Sequence, residues 1–538
     1  MRFSLPVALC LLALQLAGCT RGAPEQKVLR VKGGPPACGD SLVTGSIGEP
    51  SNLIPLLSSD SASSDIAGMV YNGLVRYDKN LKLEGDLARS WEVSADGLSI
   101  TFKLRPGVKW HDGAEFTSRD VLYTYRVTVD PKTPTAYSED FKQVQRAEAL
   151  DPYTFRVSYA KPFAPALASW GMPILPAHLL EGKDITKSPL SRNPVGTGPF
   201  VFKQWIPGQK VVLDANPGYY EGKPYLARYI YRIIPDSSTM YMELKAGGID
   251  MMGLSPVQYQ RQTDTREFLE RFNKFRYPAS AYSYLGYNLR LPLFQDRRVR
   301  QAITCAINKE EIVQGVLLGM GQIAHGPYKP GTWAYKAKVD DPGYDPARAA
   351  ALLKEASFVM GGDGILVKDG KPFSFTIMTN QGNDQRLKCA QIIQRRLKRV
   401  GIDVKIRVME WASFLTNFID KGRFEVVLLG WTISQDPDLY DVWHSSKTGP
   451  KELNFVGFKN PEMDRLIVEG RGTFDMEKRR SCYYAIQEIL AREQPYTFLY
   501  VPDALPAVSA RFQGIEPAPA GIMHNLIKWH VPKAAQQY

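Results

Sequence analysis

Leu98-Ser99-Ile100-Thr101-Phe102-Lys103-Leu104 alternates apolar and polar side chains without a break, the period of a strand with one buried face. Trp91-Glu92-Val93-Ser94 precedes it across Asp96-Gly97, so the pair predicts a hairpin turning at a glycine that tolerates positive φ. The period then changes. Thr117 and Asp120 form a capping box, and Val121, Leu122, Tyr125 and Val129 follow at helical spacing. Hairpin-like segments with one helix make residues 77–189 an α+β subdomain. Upstream, residues 42–47 predict a first strand and residues 61–71 a helix that Asn72-Gly73 ends.

Beyond residue 290, helical and strand periods alternate. Asp345-Pro346 opens a helix with Ala349, Leu352, Leu353 and Ala356 on one side; Cys389, Ile393 and Leu397 mark another, stopped by Gly401. Residues 402–408 alternate, and residues 424–429 form a nearly continuous apolar run, as in a strand covered on both faces. That order predicts an α/β lobe.

The start of the chain has a different pattern. Arg2, the apolar residues 3–14 and then Leu16-Ala17-Gly18-Cys19 have the layout of a cleavable export signal, too short to span a bilayer. The tetrapeptide resembles a lipobox, which implies a signal peptide over residues 1–18, acylation of Cys19 and membrane attachment through that lipid. Residues 19–40, rich in Gly, Pro and charge, predict a flexible tether. About 520 residues would remain, enough for at least two hydrophobic cores. The formal charge of +12 allows an acidic partner, but export argues against nucleic acid, and the densest run, Arg395-Arg396-Leu397-Lys398-Arg399, falls on the polar side of a helix. No CxxC pair occurs, and Cys305, Cys389 and Cys482 fall on apolar helix sides, where a buried free thiol is expected; a disulfide among these and Cys38 stays open.

Catalytic signatures are missing: no HExxH, no GxSxG elbow, no GxGxxG after a strand. Residues 364–371 lack the spacing of a phosphate loop and predict a hairpin turn, and His111 has no second histidine at ligand spacing. Aromatic and polar residues instead gather at segment ends. Trp411 lies in Glu410-Trp411-Ala412-Ser413-Phe414, and Gly430-Trp431-Thr432 follows the buried strand with Ser434, Asp436 and Asp438 beyond. Ligands of α/β lobes sit outside the carboxyl ends of strands, where this Gly-Trp turn falls.

Tyr71 to Asp78, Leu87 to Val93, Arg105 to Gly113, Gly196-Thr197-Gly198-Pro199-Phe200, Asp296 to Ala302 and the Gly-Trp segment, in this order, resemble the family 5 extracellular solute-binding proteins. The resemblance covers essentially the whole mature chain. It implies a two-lobed type II periplasmic binding protein, α/β, with an extra α+β subdomain inserted in lobe one. Lobe one would comprise residues 41–76, 190–285 and 506–538, the insertion 77–189, and lobe two 286–505, with hinge crossings near Gly286-Tyr287-Asn288 and at 502–506.

The resemblance also implies a monomeric, non-enzymatic component of an ABC importer that captures a peptide or similar small solute for permease subunits, without a cofactor. A ligand-presenting sensor and a surface hydrolase are the alternatives. Ligand contacts would come from Asp60, Tyr71, Trp411, Trp431, Thr432, Ser434, Asp436 and Tyr500. Peptide-binding relatives place an amine-pairing aspartate where this chain has Ser434, so either Asp436 or Asp60 replaces it or the ligand lacks a free amine. Some oligopeptide binders carry a basic residue where Leu428 stands. No histidine matches a nickel-binding pattern.

Overall fold

The computed structural model describes residues 34–538. The expected signal peptide over residues 1–18, Cys19 and residues 20–33 lie outside the described residues. Two seven-stranded sheets each carry a hydrophobic core. In the first, strand Ser41–Ser46 runs parallel to Arg228–Ile233 in register from Ser41 opposite Arg228, and the sheet extends through Lys210–Ala215 to Phe200–Ile206. On its other side lie Met251–Gly253, Pro506–Ser509 and Phe272–Lys274. Helix Ser61–Val70 packs Ile66, Ala67 and Val70 into the same core as strand residues Leu42, Val211 and Tyr229.

The second sheet centres on Ala281–Tyr287, flanked by Val426–Thr432 and Tyr496–Ala504. Val426–Thr432 is buried over its first four residues, as its apolar run requires, and pairs parallel to Ser374–Asn380, which pairs in turn with the edge strand Asp403–Met409. Helix Asp384–Lys398 connects the last two strands and buries Cys389, Ile393 and Leu397. Gly401, at φ +82°, reverses the chain after that helix. Cys305, Cys389 and Cys482 are buried and Cys38 is exposed, all four as free thiols.

Between them sits a four-stranded antiparallel sheet, ordered Ala88–Val93, Ser99–Leu104, Thr154–Tyr159, Val144–Asp151, with helix Ser118–Val129 against it. The hairpin turns at Gly97, φ +73°, and the Thr117–Asp120 capping box is present. His111 ties this subdomain to the first lobe, its Nε2 lying 3.0 Å from the Gly198 carbonyl oxygen.

Sheet pairing, core membership and hydrogen bonds put the first crossing, the subdomain's limits and the start of the ordered body at other residues than expected. Strand Ala281–Tyr287 hydrogen-bonds only within the second sheet, so the first crossing falls at Phe275–Arg276, between Phe272–Lys274 and Tyr277–Pro278, rather than near residue 286. The return falls at Leu505. The subdomain's core runs from Leu74 to Ile174, whereas Leu175, Leu180, Ile185 and Leu190 pack into the first lobe. The ordered body begins before residue 40, the expected end of the tether. Gly39 N donates to Tyr225 O (2.9 Å), and buried Asp40 pairs with Arg511, which also binds Asp250 (2.8 Å). The amide of Gln537 donates to Asp40 as well, so both ends of the body meet in one clasp. Among the described residues, no helix is long and apolar enough to cross a membrane.

Candidate solute-binding cleft

The two lobes touch where the first sheet's parallel strands end. Ser237 Oγ donates to Asp384 Oδ2 (2.9 Å), joining the start of one helix in each lobe. A Cβ on Gly48 would stand 3.0 Å from Trp411 Cδ1, so this glycine is where the indole of the second lobe reaches the first. Trp411 is aimed by Glu410, whose carboxylate accepts from Ala412 N and Ser413 N (2.8 Å each) as the cap of a short helix. Trp431 rests on Phe455 (5.9 Å between ring centres) and donates its indole N–H to Tyr496 (3.3 Å). Thr432 and Ser434 are exposed at the strand's end.

Of the four other expected ligand residues, two carboxylates hold partners within the protein and two tyrosines are buried in the cores, the Tyr71 hydroxyl without a hydrogen-bond partner among the described residues. Asp60 caps helix Ser61–Val70, accepting from Ser63 N (2.9 Å), Ser63 Oγ (2.7 Å) and Ser51 Oγ (2.5 Å). Asp436 holds Arg479 through both oxygens at 2.9 Å. Both carboxylates thus already hold partners within the protein. Tyr71 and Tyr500 are core residues, the first in the first lobe and the second in the second lobe, and burial raises both phenols far above the ordinary range.

Two charged side chains that the sequence did not single out have no ion pair among the described residues. Asp65 lies on the outward stripe of helix Ser61–Val70, with Ser61, Ser64 and Gly68, and its carboxylate has no hydrogen bond or ion pair among the described residues. It is open to solvent, yet the surrounding protein displaces enough water, and Asp60 repels it enough, to push its carboxyl up to about 6. Its charge is felt by Tyr229 and Tyr231 of the first sheet, and Tyr231 donates to Ser46 Oγ (2.6 Å) and lies 3.2 Å from the Gly48 carbonyl oxygen, beside Trp411.

Arg386 occupies the first turn of helix Asp384–Lys398 in the opposite lobe. Its Nη1 donates to Asn380 Oδ1 (2.8 Å), no carboxylate pairs with it among the described residues, and burial drives its pKa down. A Cβ on residue 430 would stand 3.0 Å from its Nη2, so the glycine of the Gly-Trp turn makes room for the guanidinium. A cation at a helix N-terminus opposes the helix dipole. That misplaced charge was the available sequence signal. For Asp60 the signal was Ser63 three residues on, which marks a cap rather than a ligand.

Residues 82–452 match the model of the bacterial extracellular solute-binding proteins, family 5 Middle. The chain belongs to this family. Among family 5 relatives, it is 36% identical over 538 residues to the oligopeptide-binding protein AppA of Bacillus subtilis, covering 98% of each chain. The AppA structure, in complex with a nonapeptide, superposes with a TM-score of 0.88 over 93% of this chain and all of that one. NikZ of Campylobacter jejuni, in complex with Ni(L-His), gives 0.83 at 29% identity over 91% and 99% of the two chains. DppA of Helicobacter pylori, in complex with the peptide STSA, gives 0.82 at 29% identity over 92% and 99%. These likenesses establish the two-lobed type II architecture with its inserted subdomain. In this family 5 chain, a separate hollow of about 550 Å³ lies at the outer edge of the first sheet, lined by Phe272, Phe275 and Phe512 and by none of the cleft residues.

Proposed function

We propose that this protein is the solute-capturing component of an ABC importer and that it takes peptides with free termini. The observation that carries the reading is a pair of opposite charges near the meeting of the lobes, Asp65 on one and Arg386 on the other, neither ion-paired among the described residues. A carboxylate suits a peptide's ammonium and a guanidinium its carboxylate, each forming a charge-assisted hydrogen bond. Trp411 and Trp431 supply apolar walls, and exposed Thr432 and Ser434 add polar contacts at the strand end. Main-chain hydrogen bonding would then tolerate varied side chains. The oligopeptide and peptide ligands of AppA and DppA agree with this class.

In this reading the chain is exported, Cys19 is acylated, and a monomer held to a membrane delivers its solute to permease subunits. Closure turns about the crossings at Phe275–Arg276 and Leu505. Calorimetry with matched free and doubly blocked peptides tests the ligand class; equal affinity for both would end it. Cys19→Ala should abolish labelling by a clickable palmitate analogue, and persistent label would refute acylation at that residue.

A further inference from the structure

By chain order the inserted subdomain belongs to the first lobe, and it is bound there firmly. Arg76 forks onto Glu221 at 2.7 and 2.8 Å, Asn72 joins Asp86 and Thr197, and His111 reaches Gly198. Yet its far side rests on the second lobe. The hairpin tip at Gly97 abuts the ring of Phe474, and the amide of Ala164 donates to the Arg471 carbonyl oxygen at 2.8 Å. Arg471 ends helix Pro461–Arg471 of the second lobe with its side chain only 4% exposed. Its guanidinium pairs with Asp140 of the subdomain and, at 2.7 Å, with Asp438 of its own lobe. The same group lies over Phe163 of the subdomain (5.0 Å) and Tyr440 of the second lobe (4.4 Å). Lys447, 1% exposed, repeats the pattern, 2.8 Å from Glu452 and 3.6 Å from both Asp441 and the subdomain's Glu139.

We propose that Arg471 is a positioning residue for solute capture, clasping the inserted subdomain to the second lobe so that the cleft closes between three bodies rather than two. The lobes are joined by two strand crossings, whereas the subdomain is fastened to the first lobe. Any opening about those crossings must therefore part Arg471 from Asp140 and Ala164. Asp438, on the segment that follows the Trp431 turn, is held by the same guanidinium, so the clasp also steadies the solute-facing turn from behind.

The clasp is sensitive to pH. Glu139 and Asp140, with Lys142, face it from the subdomain's helix Glu139–Lys142; Asp436, Asp438, Asp441, Lys447 and Glu452 face it from the second lobe's residues 436–452, and Arg479 from helix Met476–Glu493. Tyr137 and Tyr159 border it from the subdomain, and Tyr440 and His444 from the second lobe, the last kept mostly neutral by burial. Carboxylates outnumber cations there. Burial and repulsion by Asp438 push the Asp140 carboxyl up to about 7, and burial lifts Asp438 and Asp441 as well. Opening returns these groups to water and to the ordinary carboxylate range. At Asp140 the closed form thus binds its proton more tightly, so closure is favoured in acid and weakens as pH rises through about 7; Glu139, held low by Lys142 and Lys447, opposes this only in stronger acid. This holds whichever solute is taken.

Hydrogen exchange of the full chain, read by mass spectrometry at Ala164, follows the clasp directly. Corrected for intrinsic rates, wild type should exchange about tenfold faster near pH 8 than near pH 6, and Asp140→Asn should lose that dependence. Arg471→Met should raise the Ala164 rate by about tenfold, with Arg471→Lys in between, while strand Val426–Thr432 stays protected. An unchanged Ala164 rate in a folded Arg471→Met variant overturns the clasp. A pH profile that Asp140→Asn reproduces overturns the proton linkage. Should Arg471→Met not fold, Arg471→Lys and Asp140→Asn carry the test, and failure of both to alter Ala164 exchange refutes it.

Discussion

Asp65 offers a sharp test, because its partner and its proton compete for one carboxylate. Its surroundings hold the empty group at about 6, two units above the ordinary value. An ammonium binds the ionised form, so capture of a free-amine peptide must expel any proton present. At about pH 7.5 nearly all molecules are ready; at about pH 5 roughly one in ten is, so the amine's contribution falls about tenfold over that interval. The Arg471 clasp pulls the other way, favouring closure in acid, but it acts on every solute alike. The quantity to measure is therefore a ratio, the affinity for a free-amine peptide over that for its N-acetylated twin, taken by calorimetry across the range. The ratio should fall about tenfold towards pH 5 in wild type and stay flat in Asp65→Asn. Buffers of differing ionisation heat should show close to one proton released per free-amine peptide at about pH 5. A ratio that is flat in wild type, or equally steep in Asp65→Asn, would refute the assignment.

Arg386→Met should weaken peptides with a free carboxylate by about 2 kcal/mol, roughly 30-fold, at the low end for a severed charge pair because the guanidinium is partly open to water. Amidated peptides should bind the variant and wild type alike in the same titration. Gly48→Leu should wedge the lobes apart at Trp411, giving a larger radius of gyration by small-angle scattering with peptide present than wild type shows; equal radii would place the contact outside the closure path. Ser434→Asp should shift preference towards free-amine over acetylated peptides, and unchanged discrimination would mean that this exposed turn does not face the amino end.

Local rules carried the reading of individual elements. The Asp96-Gly97 hairpin, the Thr117–Asp120 box and the buried strand before Trp431 each follow from contacts within a few residues, and all are present. Boundaries between lobes failed by about ten residues at the first crossing because sheet membership depends on partners far away in sequence. Residues 281–285 look the same whichever sheet they join, and only pairing with Thr432 and Tyr500 decides it. The partners of the charged residues were hidden for the same reason. Asp436 looks available in sequence, but Arg479, 43 residues on, takes it. Asp65 looks like a plain helix surface residue, and its raised carboxyl depends on Asp60 and on burial that its own helix pattern does not reveal.

The clasp of Asp40, Arg511 and Gln537 sets a direction for the whole molecule. Strand Ser41–Ser46 starts at that clasp and ends beside Gly48, where the lobes meet, a distance of about 20 Å. Entry to the first lobe and mouth of the cleft therefore lie at opposite ends of one strand. A chain leashed by its amino end would be gripped at the base of the first lobe, with the opening turned away from the point of attachment. The first lobe and the subdomain fastened to it would then form the stationary jaw, and the second lobe, reached only through two crossings, would be the part that swings.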